Sequence, residues 1–233
     1  MRNVFLLMVG LAVILSSHAN AGISLSATRV IFGGEHKEAS INVKNNGDRE
    51  ILIQSWIEPD KSSITPPFAI TPPLAKMKGN QRQLLRVFYQ GDILPKNKES
   101  VFWLSVQEIP LAAEGDNVLQ LALMQRIKLF YRPSGLPGDA NSAPESLKVK
   151  VNNGLIELYN PTPYHINMIS LKQGSIKYDG EMIPPGEKLT INAPQVKEYG
   201  SLEIAVVNDY GATAMFDVKL EKGLSSAVVH MKG

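Results

Sequence analysis

The sequence predicts an all-β chain folded as two β-sandwich domains, and three observations predict it. Short runs that alternate apolar and polar residues recur along the chain with turn residues between them, the pattern of half-buried strands. No long segment sustains the 3.6-residue period of an amphipathic helix. Near the middle, Pro133 to Pro144 concentrates three prolines, two glycines and small polar residues. That composition makes a linker and divides the chain in two.

The first 21 residues read as a secretory signal peptide. Arg2 supplies the positive start, Val4 to Leu15 the apolar run, and Ala19-Asn20-Ala21 the small-x-small cleavage site. The run is short for a membrane span, which needs about 20 apolar residues, and a retained anchor is the alternative. Cleavage after Ala21 leaves 212 of the 233 residues, room for two domains of about 100 residues each. The expected limits are 22–136 and 137–233. No later segment is apolar for long enough to cross a bilayer, so no stable membrane insertion is expected after cleavage.

Before the linker, strand-like runs cover Ile23 to Ile31, Ala39 to Lys44, Ile51 to Ile57, Gln83 to Tyr89, Val101 to Glu108 and Val118 to Tyr131. Turn signals separate them at Gly33-Gly34, Asn45 to Asp48, Pro66-Pro67, Pro72-Pro73, Lys78 to Asn80 and Glu114 to Asn117. Beyond the linker, strands are expected at Leu147 to Val151, Leu155 to Asn160, Ile166 to Leu171, Leu189 to Ile191, Ser201 to Val207 and Thr213 to Leu220. Asn152-Asn153-Gly154 and Tyr178-Asp179-Gly180 favour hairpins.

The chain has no cysteine, so an oxidising compartment adds no covalent staple and stability must come from burial. Removing Arg2 with the signal lowers the formal charge from +2 to +1. So balanced a surface gives no general reason to expect nucleic acid or an anionic membrane as partner. Catalysis finds little support. There is no nucleophile elbow and no HExxH motif. His36 lies between Glu35 and Glu38 in an apparent turn, where a solvated loop is the plainer reading than a metal site. His165 and His230 are far away in sequence. Neither a metal nor a cofactor is expected.

Three sets of residues stand out. Arg29 and Lys128 each sit inside an apolar strand, which is costly for a cation unless it reaches water or meets an anion. First and last strands of a sandwich often lie near each other, so the two could share one anion. Leu119, Leu121 and Leu123 form one face of the last strand before the linker. They are either an ordinary core face or a surface for another chain's strand, since an exposed apolar edge is otherwise a hazard. Arg132, just before Pro133, has Glu99 and Asp209 as candidate partners, because a guanidinium fork can bridge two carboxylates; plain surface solvation is the alternative.

These residues carry a resemblance. Thr28-Arg29-Val30-Ile31-Phe32, Gln54 to Glu58, Ile70 to Pro73, Glu99-Ser100, Glu108-Ile109-Pro110 and Asn117 to Pro133 match the periplasmic pilus chaperones of the PapD-like family. In the second half Asn160 to Tyr164 and Asn208 to Gly211 match as well. The resemblance implies two immunoglobulin-like domains set in an L, with a pilus subunit held in the cleft. It implies that Arg29 and Lys128 bind the subunit's terminal carboxylate, and that Leu119, Leu121 and Leu123 fill the groove of the incomplete subunit. Glu99, Arg132 and Asp209 would form an interdomain ion-pair network. The short interval from Pro110 to Asn117 looks like the short-loop subfamily, whose members work with an outer-membrane usher in the periplasm. A pilus subunit or adhesin is the structural alternative, and a β-sandwich enzyme the third.

One geometric tension stands. Strict alternation places Lys128 on the face opposite Leu119, Leu121 and Leu123. Either a bulge between Leu123 and Lys128 resets the parity, or the lysine reaches the cleft while the leucines face a groove.

Overall fold

The computed structural model describes residues 22–60, 65–110, 121–220 and 228–231. The expected signal peptide and Leu119 lie outside the described residues. The first half contains β1 (Ile23–Leu25), β2 (Arg29–Gly33), β3 (Glu38–Asn45), β4 (Ile51–Pro59), β5 (Phe68–Thr71), β6 (Leu74–Met77), β7 (Arg82–Tyr89), β8 (Ser100–Pro110) and β9 (Met124–Arg132). They form two sheets, ordered β1-β3-β7-β5 and β2-β9-β8-β4-β6. Between the sheets, Val43, Ile53, Leu85, Val87, Leu104, Val106 and Leu129 are fully buried. The alternation of β8 explains its placement: Phe102, Leu104 and Val106 face this core while Trp103 and Gln107 face out.

The second half contains β10 (Lys148–Asn152), β11 (Leu155–Tyr159), β12 (Ile166–Gln173), β13 (Ile176–Asp179), β14 (Met182–Ile183), β15 (Lys188–Asn192), β16 (Gly200–Val207), β17 (Thr213–Leu220) and β18 (Val228–Met231). One sheet runs β10-β11-β15, and the other β13-β12-β16-β17-β18 with β14 also on β12. Ile156, Leu158, Leu171, Ile204, Phe216 and Val218 fill a second core. The only helical turn among the described residues is a single 3-10 turn at Ala143–Ser146. The all-β, two-domain prediction holds.

Several elements differ from the sequence reading. The run Ile23 to Ile31 is two strands in two sheets, because the chain crosses between the layers at Ser26 to Thr28. That switch is what carries Arg29 to the edge of β9. Strands β5 and β6 are short and flank the prolines that dominate the local signal, so the sequence pattern does not reveal them. Asn153-Gly154 does make the expected two-residue hairpin, with φ of 49° and 73°. Tyr178-Asp179-Gly180 does not. Tyr178 and Asp179 end β13 opposite Leu171 and Ser170, and the hairpin turn is Gly174-Ser175 instead. Gly180 serves close backbone approach: a Cβ there would stand 2.6 Å from the carbonyl carbon of Ile169.

The run Val118 to Tyr131 is also shorter as a strand. Residues 118–120 lie outside the described residues, 121–123 are not strand, and β9 begins at Met124. The cause lies in the partner. Glu108 N–H donates to the Leu123 carbonyl at 2.8 Å, so the next hydrogen-bonded pair would set Leu121 against Pro110, two residues along each strand. Proline has no N–H to give. The ladder stops there.

Candidate functional site

The parallel pairing of β2 with β9 places Arg29 directly opposite Lys128. Residues paired this way point to the same face, so two cations stand side by side where the two halves of the chain meet. Arg29 Nη1 donates to the Val207 carbonyl at 3.2 Å, across to the second half. Its Nε is buried with no hydrogen-bond partner. Burial lowers the Arg29 pKa, with the Asp209 charge opposing in part. Lys128 Nζ donates to Asn167 Oδ1 at 2.6 Å. Burial first, and then the neighbouring Arg29 charge, push the lysine's pKa below its ordinary value, while Asp60 acts the other way. Two partly desolvated like charges with a spare donor have the chemistry to accept an anion. A carboxylate fits that demand.

The parity question is resolved by the β8–β9 ladder, which runs without a shift from Gln107↔Met124 to Ser100↔Tyr131. No bulge intervenes. Ile127, Leu129 and Tyr131 face the first core, and Leu121 and Leu123 extend that same stripe beyond it. Lys128 lies on the opposite face, toward the cleft and not into open solvent, as its bond to Asn167 requires. Where the core ends the leucines are bare: Leu121 is 67% and Leu123 47% exposed. An ordinary core face is excluded for these two.

The second edge of β9 adds a further feature. Strand β2 pairs with that edge only from Lys128 onward, because the chain leaves for the other sheet before Arg29. Among the described residues no strand pairs with the same edge from Met124 to Ile127. An incoming strand lying in line with β2 would run parallel to β9 and end with its C-terminus at Arg29 and Lys128. The apolar stripe, the open edge and the cation pair are thus set in sequence along one line.

Behind the cations lies a network that joins the halves. Arg132 Nε donates to Glu99 Oε1 at 2.6 Å, and its two terminal nitrogens donate to the Asp209 carboxylate at 2.8 and 3.0 Å. Glu99 Oε2 accepts from the His165 backbone N–H at 2.8 Å and lies 3.3 Å from His165 Nδ1. Burial alone would raise the Glu99 carboxyl, but His165 and Arg132 outweigh it and hold it below the ordinary carboxylate range. Asp209 is presented by a turn in which Asn208 Oδ1 accepts from the N–H groups of Tyr210 and Ala212. Gly211 closes that turn at φ +83°, and a Cβ there would collide with Thr28 Oγ1 beside Arg29. The turn that holds Arg132 therefore also packs on the strand that carries Arg29.

Sequence reading missed His165 and Asn167. His165 follows the Asn160 to Tyr164 motif directly, which was the available signal; an isolated asparagine in a strand gives none. Trp103 was also unread. It lies in the same cleft wall, donating from Nε1 to Asp60 at 2.7 Å with Arg126 4.4 Å above its ring.

Comparison with known proteins finds matches to both halves of the chain. A family model described as Pili and flagellar-assembly chaperone, PapD N-terminal domain, matches residues 22–137, and Pili assembly chaperone PapD, C-terminal domain, matches 142–217. The chaperone protein FocC of Escherichia coli is 41% identical over 197 residues, which is 82% of this chain and 87% of FocC. FimC of Escherichia coli K12 is 36% identical over 208 residues, 87% of this chain and 86% of FimC. A chain from the Salmonella enterica SafA pilin in complex with the SafB chaperone superposes with a TM-score of 0.78 at 28% identity. It covers 88% of this chain and 99% of its own length.

Proposed function

This chain belongs to the PapD-like family of pilus-assembly chaperones, and we propose that it captures pilus subunits in the periplasm by lending them a strand. A subunit lacking its last strand exposes an apolar groove and unpaired edges, both of which favour aggregation. The segment Leu119, Leu121 and Leu123 enters that groove, main-chain bonds satisfy the edge, and the subunit's C-terminal carboxylate stops against Arg29 and Lys128. The subunit strand runs parallel to the donated one. At about 3.3 Å per residue, five to nine residues reach roughly 16 to 30 Å. Residues 22–136 form the donating domain and 137–233 the second. The loaded complex then passes to an outer-membrane usher. The role is binding throughout and asks for no catalytic step.

The observation that carries this reading is the open edge of β9 ahead of Lys128, preceded by the exposed Leu121 and Leu123 and ended by two cations. The test is co-expression with pilus subunits from the same bacterium. A one-to-one complex in the periplasmic fraction is expected. Recovery of free chaperone beside aggregated subunits contradicts it.

The Glu99–Arg132–Asp209 network holds the two domains at a fixed angle. Arg132→Ala strands Glu99, whose side chain is 2% exposed, without its cation. Loss of one partner from such a pair costs about 3 kcal/mol. The expected result is a lower melting temperature together with a broadened small-angle scattering profile. An unchanged melt and profile would remove the role.

The same network sets an acid limit. A carboxyl held below its unfolded value, about 4.3 for glutamate, stabilises the fold above that pH and loses its contribution as pH falls through the folded value. Wild type is therefore expected to melt above Glu99→Gln at neutral pH, with the gap closing on acidification below about pH 4. A gap that stays constant to pH 2 counts against Glu99 as its source.

A further inference from the structure

Gly22 and Glu108 carry an inference that rests on the export proposed above. Glu108 stands on the core-facing side of β8, 9% exposed, and its Oε2 is buried with no hydrogen-bond partner. Burial pushes its carboxyl up. A buried carboxylate without a counter-charge is destabilising. Gly22 packs directly against it. A Cβ on Gly22 would collide with Oε2 and stand 2.6 Å from Cδ and 2.8 Å from Oε1 of Glu108, so a side chain there would push the carboxyl group aside. A backbone nitrogen lies roughly 2.5 Å from its own Cβ, which puts the Gly22 nitrogen within about 5 Å of the Glu108 carboxyl carbon. Opposite charges at that range stabilise each other. Gly22 is also fixed in place, its carbonyl accepting from Asn46 N–H at 2.8 Å.

We propose that cleavage of the Ala21–Gly22 bond creates the counter-ion of Glu108: the new α-ammonium of Gly22 pairs with its carboxylate and locks the root of the donated strand. Water adds across the amide. The carboxyl group leaves on Ala21, and its proton passes to the freed nitrogen of Gly22. An α-amino group has a pKa of about 7.7 to 8.0, so the nitrogen is charged at neutral pH. In the uncleaved chain the same nitrogen is an uncharged amide.

The position of the pair gives it a consequence. Glu108 N–H makes the last rung, to the carbonyl of Leu123, itself the nearer of the two exposed leucines. Gln125 Nε2 donates to the Ile23 carbonyl at 2.7 Å, on the residue next to Gly22. Both neighbours of Met124 are thus held by the N-terminal segment or by Glu108. Processing completes the first domain and steadies the strand it lends.

The test compares the chain starting at Gly22 with one carrying a two-residue N-terminal extension, each as wild type and as Glu108→Gln. The authentic wild-type form is expected to melt roughly 4–8 °C above its extended form, and the two Glu108→Gln forms to melt alike. The Glu108 amide is expected to exchange faster with solvent in the extended wild type. An extension that shifts both backgrounds equally, or shifts neither, overturns the proposal. If Glu108→Gln fails to fold, the exchange rates decide: equal rates in the two wild-type forms overturn it. Mass spectrometry of the periplasmic protein separates this from the export reading. A periplasmic chain that starts elsewhere than Gly22 sinks only the pairing, whereas a chain kept in the cytoplasm with its leader sinks both.

Discussion

Arg29→Ala and Lys128→Ala are each expected to abolish subunit capture in pull-downs while leaving the chaperone folded. The sign on stability separates this from a general loss of structure. Both side chains are partly buried beside each other, and burial is the leading influence that lowers the pKa of each. Removing either cation relieves a like-charge contact, so melting temperature should hold or rise. Binding moves the other way. A buried charge that loses its partner typically costs 2–5 kcal/mol, and the tenfold-per-1.4 kcal/mol scale makes that a loss of at least about 30-fold in affinity. Complex formation retained at wild-type levels in either variant would remove that residue as the carboxylate anchor.

Leu121→Glu is expected to abolish capture through the other half of the site. Leu121 is exposed in the free chaperone, so the substitution should change stability by no more than about 0.5 kcal/mol. On docking it forfeits about 1.5 to 3 kcal/mol of apolar burial and places a carboxylate in an apolar groove. Together these predict a fall of at least about 100-fold in affinity. Leu121→Met keeps volume and polarity and should bind nearly as wild type. Equal binding by Leu121→Glu would mean that the groove takes a different segment.

Much of this was legible in the sequence, and the reasons differ by element. The β class followed from alternation in runs such as Val101 to Glu108, where burial confirms the inward set Phe102, Leu104 and Val106. The junction network could be guessed from Arg132 because proline ends its strand and a guanidinium fork can bridge two carboxylates. The direct pairing of Arg29 with Lys128 could not be read from spacing, since it depends on the sheet switch at Ser26 to Thr28. Local preference saw one strand there. The relation of the leucines to Lys128 was equally hidden. Alternation alone allowed a bulge, and only the continuous ladder to β8 removes it. The strand's early end at Met124 was written in Pro110, but its effect needs the register that places it opposite Leu121. His165 and Asn167 became visible only when folding brought β12 against the first half.

In the proposed complex an apolar strand supplies grip while the cation pair fixes register by holding a terminal carboxylate. The most direct measurement is the Kd of a synthetic peptide copying the C-terminal strand of a co-purified subunit, made once with a free carboxylate and once as the C-terminal amide. The amide is expected to bind wild type at least about tenfold more weakly, and both peptides to bind Lys128→Ala with the same weak affinity. Equal binding of the two peptides to wild type would contradict it.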